Sequence, residues 1–184
     1  MKLKMITAPA TLPVSLEEAK SFYRVIGTEQ DADITRTLTA ATEKAEQITN
    51  RQLVTATYDG YLDAFSSVVV LPKPPFGSVT KVEYIDVDGV TQVWTDFYLD
   101  DVIEPAVLYF NTLPTDVKAD GVNNVVITFE CGYSSVPDAI TSWILIYGLT
   151  LFENRENLVD GVSVSSAKQG YFNHLLDSYR IIPV

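Results

Sequence analysis

Few side chains in this sequence have the type and spacing that chemistry needs. His174 is the only histidine. A Ser-His-Asp system would depend wholly on it, and no nucleophile-elbow sequence accompanies it. Asp86-Val87-Asp88-Gly89 resembles the opening of a calcium loop but lacks the remaining ligand pattern and the distal bidentate Glu, so a hairpin turn is expected there. Asp100-Asp101 is the kind of acidic pair that glycoside hydrolysis uses, a requirement any acidic protein meets. Trp94, Tyr98 and Tyr109 could stack on sugars; aromatics on strands more often serve as core or cross-strand pairs. Cys131 is the only cysteine, which excludes an intramolecular disulfide and leaves a small buried hydrophobe at a strand end as the expected role. No glycine-rich phosphate loop is present. The expectation is a protein that is not an enzyme, with no catalytic residues, no cofactor and no metal.

Composition narrows the class further. The 184 residues suit one domain, or a core plus one insert, and 47 % hydrophobic content excludes bulk disorder. The N-terminal Met1-Lys2-Leu3-Lys4-Met5 lacks the long apolar stretch of a signal peptide. The most apolar window, Ala139 to Phe152, is shorter than the ~20 residues of a membrane span. A soluble intracellular protein is expected. Net charge is −11, and it is unevenly placed. Residues 1–52 carry seven bases and seven acids, whereas residues 53–133 carry twelve acids against Lys73, Lys81 and Lys118. Such a surface repels nucleic-acid phosphate and opposes tight DNA binding. It suits a surface that DNA passes without sticking, although solubility alone explains it more simply.

The elements that would position these residues fall into an interrupted pattern. Ser15-Leu16-Glu17-Glu18 reads as a capping box opening a helix over 15–26, with Leu16, Ala19, Phe22, Tyr23 and Ile26 on one apolar face and Gly27 as its stop. A second helix, 31–50, begins at Asp31 and Asp33. It presents Ile34, Leu38, Ala41, Ala45 and Ile48 inward, with Thr, Glu, Lys and Gln outward. The period then drops to two. Strands are expected at Leu53–Tyr58, Val68–Leu71, Val79–Asp86, Thr91–Trp94, Phe97–Leu99, Val107–Phe110 and Val125–Glu130. Helix returns at Pro137, and the apolar run 139–152 covers more than one face, as a central or subunit-contact helix would. A mobile loop over 157–170, a short helix at about 170–179 and an apolar end, Ile181-Ile182-Pro183-Val184, complete the chain. The expected fold class is α+β: a small helical core of residues 1–52 plus 134–184, with an acidic antiparallel β sandwich or barrel, 53–133, inserted between the second and third main helices.

Several phrases in order carry a resemblance. They are Pro13-Val14-Ser15-Leu16-Glu17-Glu18-Ala19-Lys20, Ala40-Ala41-Thr42-Glu43-Lys44-Ala45-Glu46 with Asn50-Arg51-Gln52-Leu53, and Leu71-Pro72-Lys73-Pro74-Pro75. Next come Val82 to Gly89, Cys131-Gly132-Tyr133 with Val136-Pro137, Phe152-Glu153-Asn154-Arg155-Glu156, and Leu175-Leu176-Asp177-Ser178-Tyr179-Arg180. Over about residues 12–180 this set resembles the tailed-bacteriophage head–tail connector proteins, also called adaptors. The resemblance implies a ring, usually of about twelve copies, beneath the portal. Such a ring extends the DNA channel without binding DNA specifically and docks stopper or tail-completion proteins. It places the chain in the virion at the head–tail interface, made in the bacterial host cytoplasm, with no membrane. The Gly- and Ser-rich stretch 157–170 and the apolar end after Arg180 depart from the pattern.

On this reading residues 171–184 anchor the ring on the portal. The expected portal or subunit contacts are Tyr171, Leu175, Leu176, Tyr179, Arg180, Ile181, Ile182 and Val184, with Arg155 pairing an acid in its own subunit or the next. Whether the isolated chain is monomeric is left open. The rival is a β-rich carbohydrate- or protein-binding module of a virion or other assembly.

Overall fold

The structure, a computed structural model, describes residues 1–119, 121–153 and 174–181. The chain divides into two compact units: residues 1–10 with 55–134, and residues 11–54 with 135–184.

The first unit is all β. A five-stranded antiparallel sheet runs in the order β1 (Lys2–Thr7), β2 (Ala56–Leu62), β8 (Val125–Cys131), β4 (Phe76–Ile85), β5 (Thr91–Val93). A three-stranded antiparallel sheet runs β3 (Val68–Val70), β7 (Val107–Phe110), β6 (Phe97–Asp100). Alternation decides which residues face inward. Ala56, Tyr58 and Gly60 stand opposite Cys131, Phe129 and Ile127, and all six are buried. Val82 and Tyr84 extend the same row against Ile127 and Val125. Val69, Leu108 and Phe110 of the smaller sheet join them in one core, so the expected sandwich is what forms. Each such large apolar side chain, once buried, contributes ~1.5–3 kcal/mol.

The expected hairpin is present. Asp86 N–H donates to Val90 O, and Gly89 takes the φ of +80° that the turn requires. The Asp86 carboxylate accepts from Asp88 N–H, Val90 N–H and the Gln92 amide, so it holds the turn itself. Cys131 ends β8 and is buried.

One boundary differs from the sequence reading. Residues 1–10 belong to the β unit, because Lys2–Thr7 pairs antiparallel with β2. The helical part therefore starts at Thr11 and not at Met1. The Met1 side chain lies where a Cβ on Gly60 would stand.

The second unit contains α1 (Leu16–Tyr23), α2 (Asp31–Thr49) and α3 (Asp138–Glu153), followed by a turn of helix at 174–177. Ser15 Oγ accepts from Glu18 N–H at 3.2 Å, the first half of the capping box. Arg24, at φ 58°, closes α1 with Arg24 N–H on Ser21 O and Val25 N–H on Lys20 O, a Schellman ending. The helix thus stops before Ile26, which stands exposed, and Phe22 is half-exposed, so neither joins the face expected of it. Three threonines of α2 also depart from expectation: Thr37, Thr42 and Thr49 are buried. Each hydroxyl donates to a carbonyl one turn back, Ile34 O, Leu38 O and Ala45 O, which removes the penalty of burying it. On α3, Ile140, Trp143, Ile144, Leu145 and Gly148 are buried, while Ile146, Tyr147, Leu149, Leu151 and Phe152 are partly covered.

Gly148 lets α3 pass close to Tyr23 of α1. A Cβ there would lie 2.5 Å from the Tyr23 hydroxyl. That hydroxyl is buried with no hydrogen-bond partner among the described residues, and burial pushes its pKa up to about 12. Gly148→Ala gains about 1 kcal/mol of helix propensity but overpacks by about 1–3 kcal/mol. Tyr23→Phe removes an unsatisfied polar atom and the clash together. Thermal melts are expected to show Gly148→Ala destabilising alone and tolerated when combined with Tyr23→Phe.

Candidate interaction surfaces

The described C-terminal residues lie against the end of α2. An α-helix leaves its last four carbonyls without partners. Here Ile181 N–H donates to Thr49 O at 2.9 Å. Asn50, in the left-handed conformation at φ 56°, ends the helix and turns its amide to Ile181 O at 2.7 Å. The buried Arg51 donates through Nε to Tyr179 O at 2.6 Å. Behind them Glu46 accepts from the Gln52 amide and from Leu53 N–H, fixing the exit from α2. Lys44, Gln47, Ile48, Asn50, Asp177, Arg180 and Ile181 line an open groove of about 890 Å³ beside this junction.

The expected contact residues are therefore of several kinds. Leu176 is fully buried and serves the unit's own packing. Leu175, Tyr179 and Ile181 are half-buried, and Arg180 is exposed, 3.6 Å from Asp177. Arg155, Tyr171, Ile182 and Val184 lie outside the described residues, as does the stretch 157–170. Sequence reading placed Glu46, Arg51 and Gln52 only within the phrases that carry the resemblance and gave them no contact role. Their signal is a cation and an amide directly after an asparagine stop, where carbonyls lack partners.

The residues first considered for chemistry are occupied locally. His174 Nδ1 lies 2.8 Å from Asp177, exposed, one turn away on its own helix. Trp94 packs edge-on against Phe65 and Tyr84. Tyr98 and Tyr109 are directly opposite on β6 and β7 and stack at 4.8 Å, a cross-strand pair. Asp100 accepts from Val102 N–H. Among the described residues no three His, Cys, Asp or Glu side chains gather where they would hold a metal, and no helix is long and apolar enough to cross a membrane.

Several of the β unit's carboxylates are built into its strands and turns. Asp59 accepts from the Thr128 hydroxyl and Asp116 from the Tyr84 hydroxyl. Asp63 is held below the usual carboxylate range by Asn123 N–H and then Lys2. The Gln92 amide and Val90 N–H do the same for Asp86, and the Thr112 hydroxyl and Asn111 amide for Asp96.

A helical unit interrupted by an antiparallel β sandwich is an architecture shared with known particle proteins. The chain superposes over its full length on a chain from the neck of an empty gene transfer agent (GTA) particle computed with C6 symmetry. The TM-score is 0.81 at 20 % identity, covering 97 % of that chain. A chain from the virion of the native GTA particle gives 0.79 at 21 % identity. One from the neck of the native particle computed with C12 symmetry gives 0.73 at 21 %; in both, all of this chain and 97 % of the other are covered. No protein-family profile matches the sequence, and neither does any curated protein.

Because the folded pKa of Asp63, Asp86 and Asp96 is lowered, the unfolded chain binds more protons. Their stabilisation is complete above the unfolded value, about 3.9, and is lost as pH falls through the folded values. Melting temperature is expected to hold down to about pH 5 and to drop below about pH 4. Asp86→Ala melts earlier than the parent at pH 7, and the gap closes in acid; a gap independent of pH contradicts this account.

Proposed function

We propose that this chain is a structural head–tail connector (adaptor) of a tailed phage or phage-like particle. It forms a ring beneath the portal, extends the DNA channel and docks the stopper or tail-completion protein. The observation that carries the reading is full-length agreement in fold with chains of GTA necks, in a fold where a β unit interrupts a helical one. The C12 symmetry of one such neck supports a ring of about twelve copies. The role is structural, in the virion after synthesis in the host cytoplasm.

Two features of the chain support it further. The acidic β unit repels DNA phosphate, as a passage for DNA requires. The partly covered apolar residues of α3 and the exposed Phe22 and Ile26 leave the helical unit with apolar surface for neighbours. Residues 171–184 are the proposed portal anchor, with Arg155 pairing an acid nearby.

Electron microscopy of the chain mixed with the portal of the same particle tests the reading. A collar on one end of the portal, absent from portal alone, is expected; bare portals at concentrations well above micromolar overturn it. Removing residues 182–184 leaves the bonds of Ile181 intact and is expected to abolish collar formation without lowering the melting temperature. A collar that survives the truncation removes those three residues from the proposed anchor.

A further inference from the structure

The five-stranded sheet ends in two unlike edges. At one end β1 is exposed along all six residues, with Leu3, Met5 and Ile6 36–49 % accessible. Leu3 and Met5 stand opposite Gly60 and Tyr58, on the face that forms the core elsewhere in the sheet, yet β1 contributes nothing to that core. At the other end β5 is exposed at all three residues, and Val87, Val90 and Val93 around it are 53–63 % accessible. Each edge strand offers a row of unpaired N–H and C=O groups beside uncovered apolar side chains, the usual template for strand addition.

Charge separates the two edges. Residues 1–16 contain Lys2 and Lys4 and no carboxylate. β5 itself is uncharged, and residues 82–96 around it contain four carboxylates, Glu83, Asp86, Asp88 and Asp96, and no base, Lys81 being paired with Glu83. Lys2 reaches Asp63 and Asn123 of its own chain, whereas Lys4 has no partner among the described residues. Pairing of β1 with β1 would oppose like charges. Pairing of β1 with β5 joins a basic edge to an acidic one.

We infer that β1 of one copy adds to β5 of the next, so that the sheets of neighbouring copies run on into one another. The geometry allows repetition. Four antiparallel junctions separate β1 from β5, so the two strands run in the same direction, and the joint between copies is a parallel pair. The contact is head-to-tail and closes into a ring if its rotation permits. This inference rests on the ring assembly proposed above and names the surface that builds it.

Sedimentation of the intact chain from about 10 µM to about 1 mM, with amide exchange at both ends of that range, provides the test. Expected is association that weakens with salt and protects amides of residues 2–7 and 91–94. Lys4→Glu and Val93→Lys, both exposed changes, each weaken association by about tenfold or more, and the double variant restores it. A chain still monomeric at about 1 mM overturns the edge contact. So does association that leaves those amides unprotected, or single variants without effect. The portal experiment stays separate: collars that form equally well with both single variants keep the connector and remove the edge joint.

Discussion

The end of α2 is the point on which the helical unit turns. Its last carbonyls need donors, and a chain leaving a helix beside another segment has few to offer. Here the donors come from more than 120 residues away in sequence: Ile181 N–H meets Thr49 O, and the side chains of Asn50 and Arg51 return the exchange to Ile181 O and Tyr179 O. A buried arginine satisfied this way is costly to remove, because its loss leaves a part-buried carbonyl without this donor. The same few residues also direct the chain out of the helix, through Glu46 on Gln52 and Leu53. One set of hydrogen bonds thus ends a helix, fastens the C-terminal segment and sets the exit that precedes β2.

This fastening matters for a terminal segment proposed to engage a partner. A free apolar tail would lose all its conformational entropy on docking. Residues 174–181 are already held through Tyr179 and Ile181, so that stretch needs less ordering on docking. The anchoring also divides the segment by role: Leu176 faces inward, while Arg180 and the flank of Ile181 border the groove.

Much of the fold was legible because local rules and tertiary packing agree. The alternation that marks Val125–Cys131 is the same alternation that buries Val125, Ile127, Phe129 and Cys131. Ser15 and Asn50 sit where caps are needed, and Asp88-Gly89 makes its turn. The failures are tertiary. Lys2-Leu3-Lys4-Met5 alternates, but the run is short and stays exposed on both faces, and its partner lies at least fifty residues on. Thr37, Thr42 and Thr49 look outward-facing until their hydroxyls find carbonyls on the same helix. The stop at Arg24 uses a left-handed arginine, which no propensity favours, and so Gly27 drew attention instead. At the candidate surface, the C-terminal residues were legible as apolar, but their division into buried and accessible needed the fold.

The acidity of the β unit takes on a different meaning once its hydrogen bonds are counted against it. Asp59, Asp63, Asp86, Asp96 and Asp116 each hold a strand or turn through a hydroxyl, an amide or a backbone N–H. Asparagine could serve several of these places, yet a carboxylate accepts at both oxygens and bonds more strongly when charged. The charge is therefore partly a by-product of how the turns are built. That does not weaken its long-range effect: a carboxylate tied to a neutral donor keeps its negative charge, and phosphate is repelled by it all the same. Firm turns and a strong negative field are compatible here because the donors are nearly all neutral. Had the same aspartates been paired with lysines or arginines, the turns would be as firm and the field would be gone.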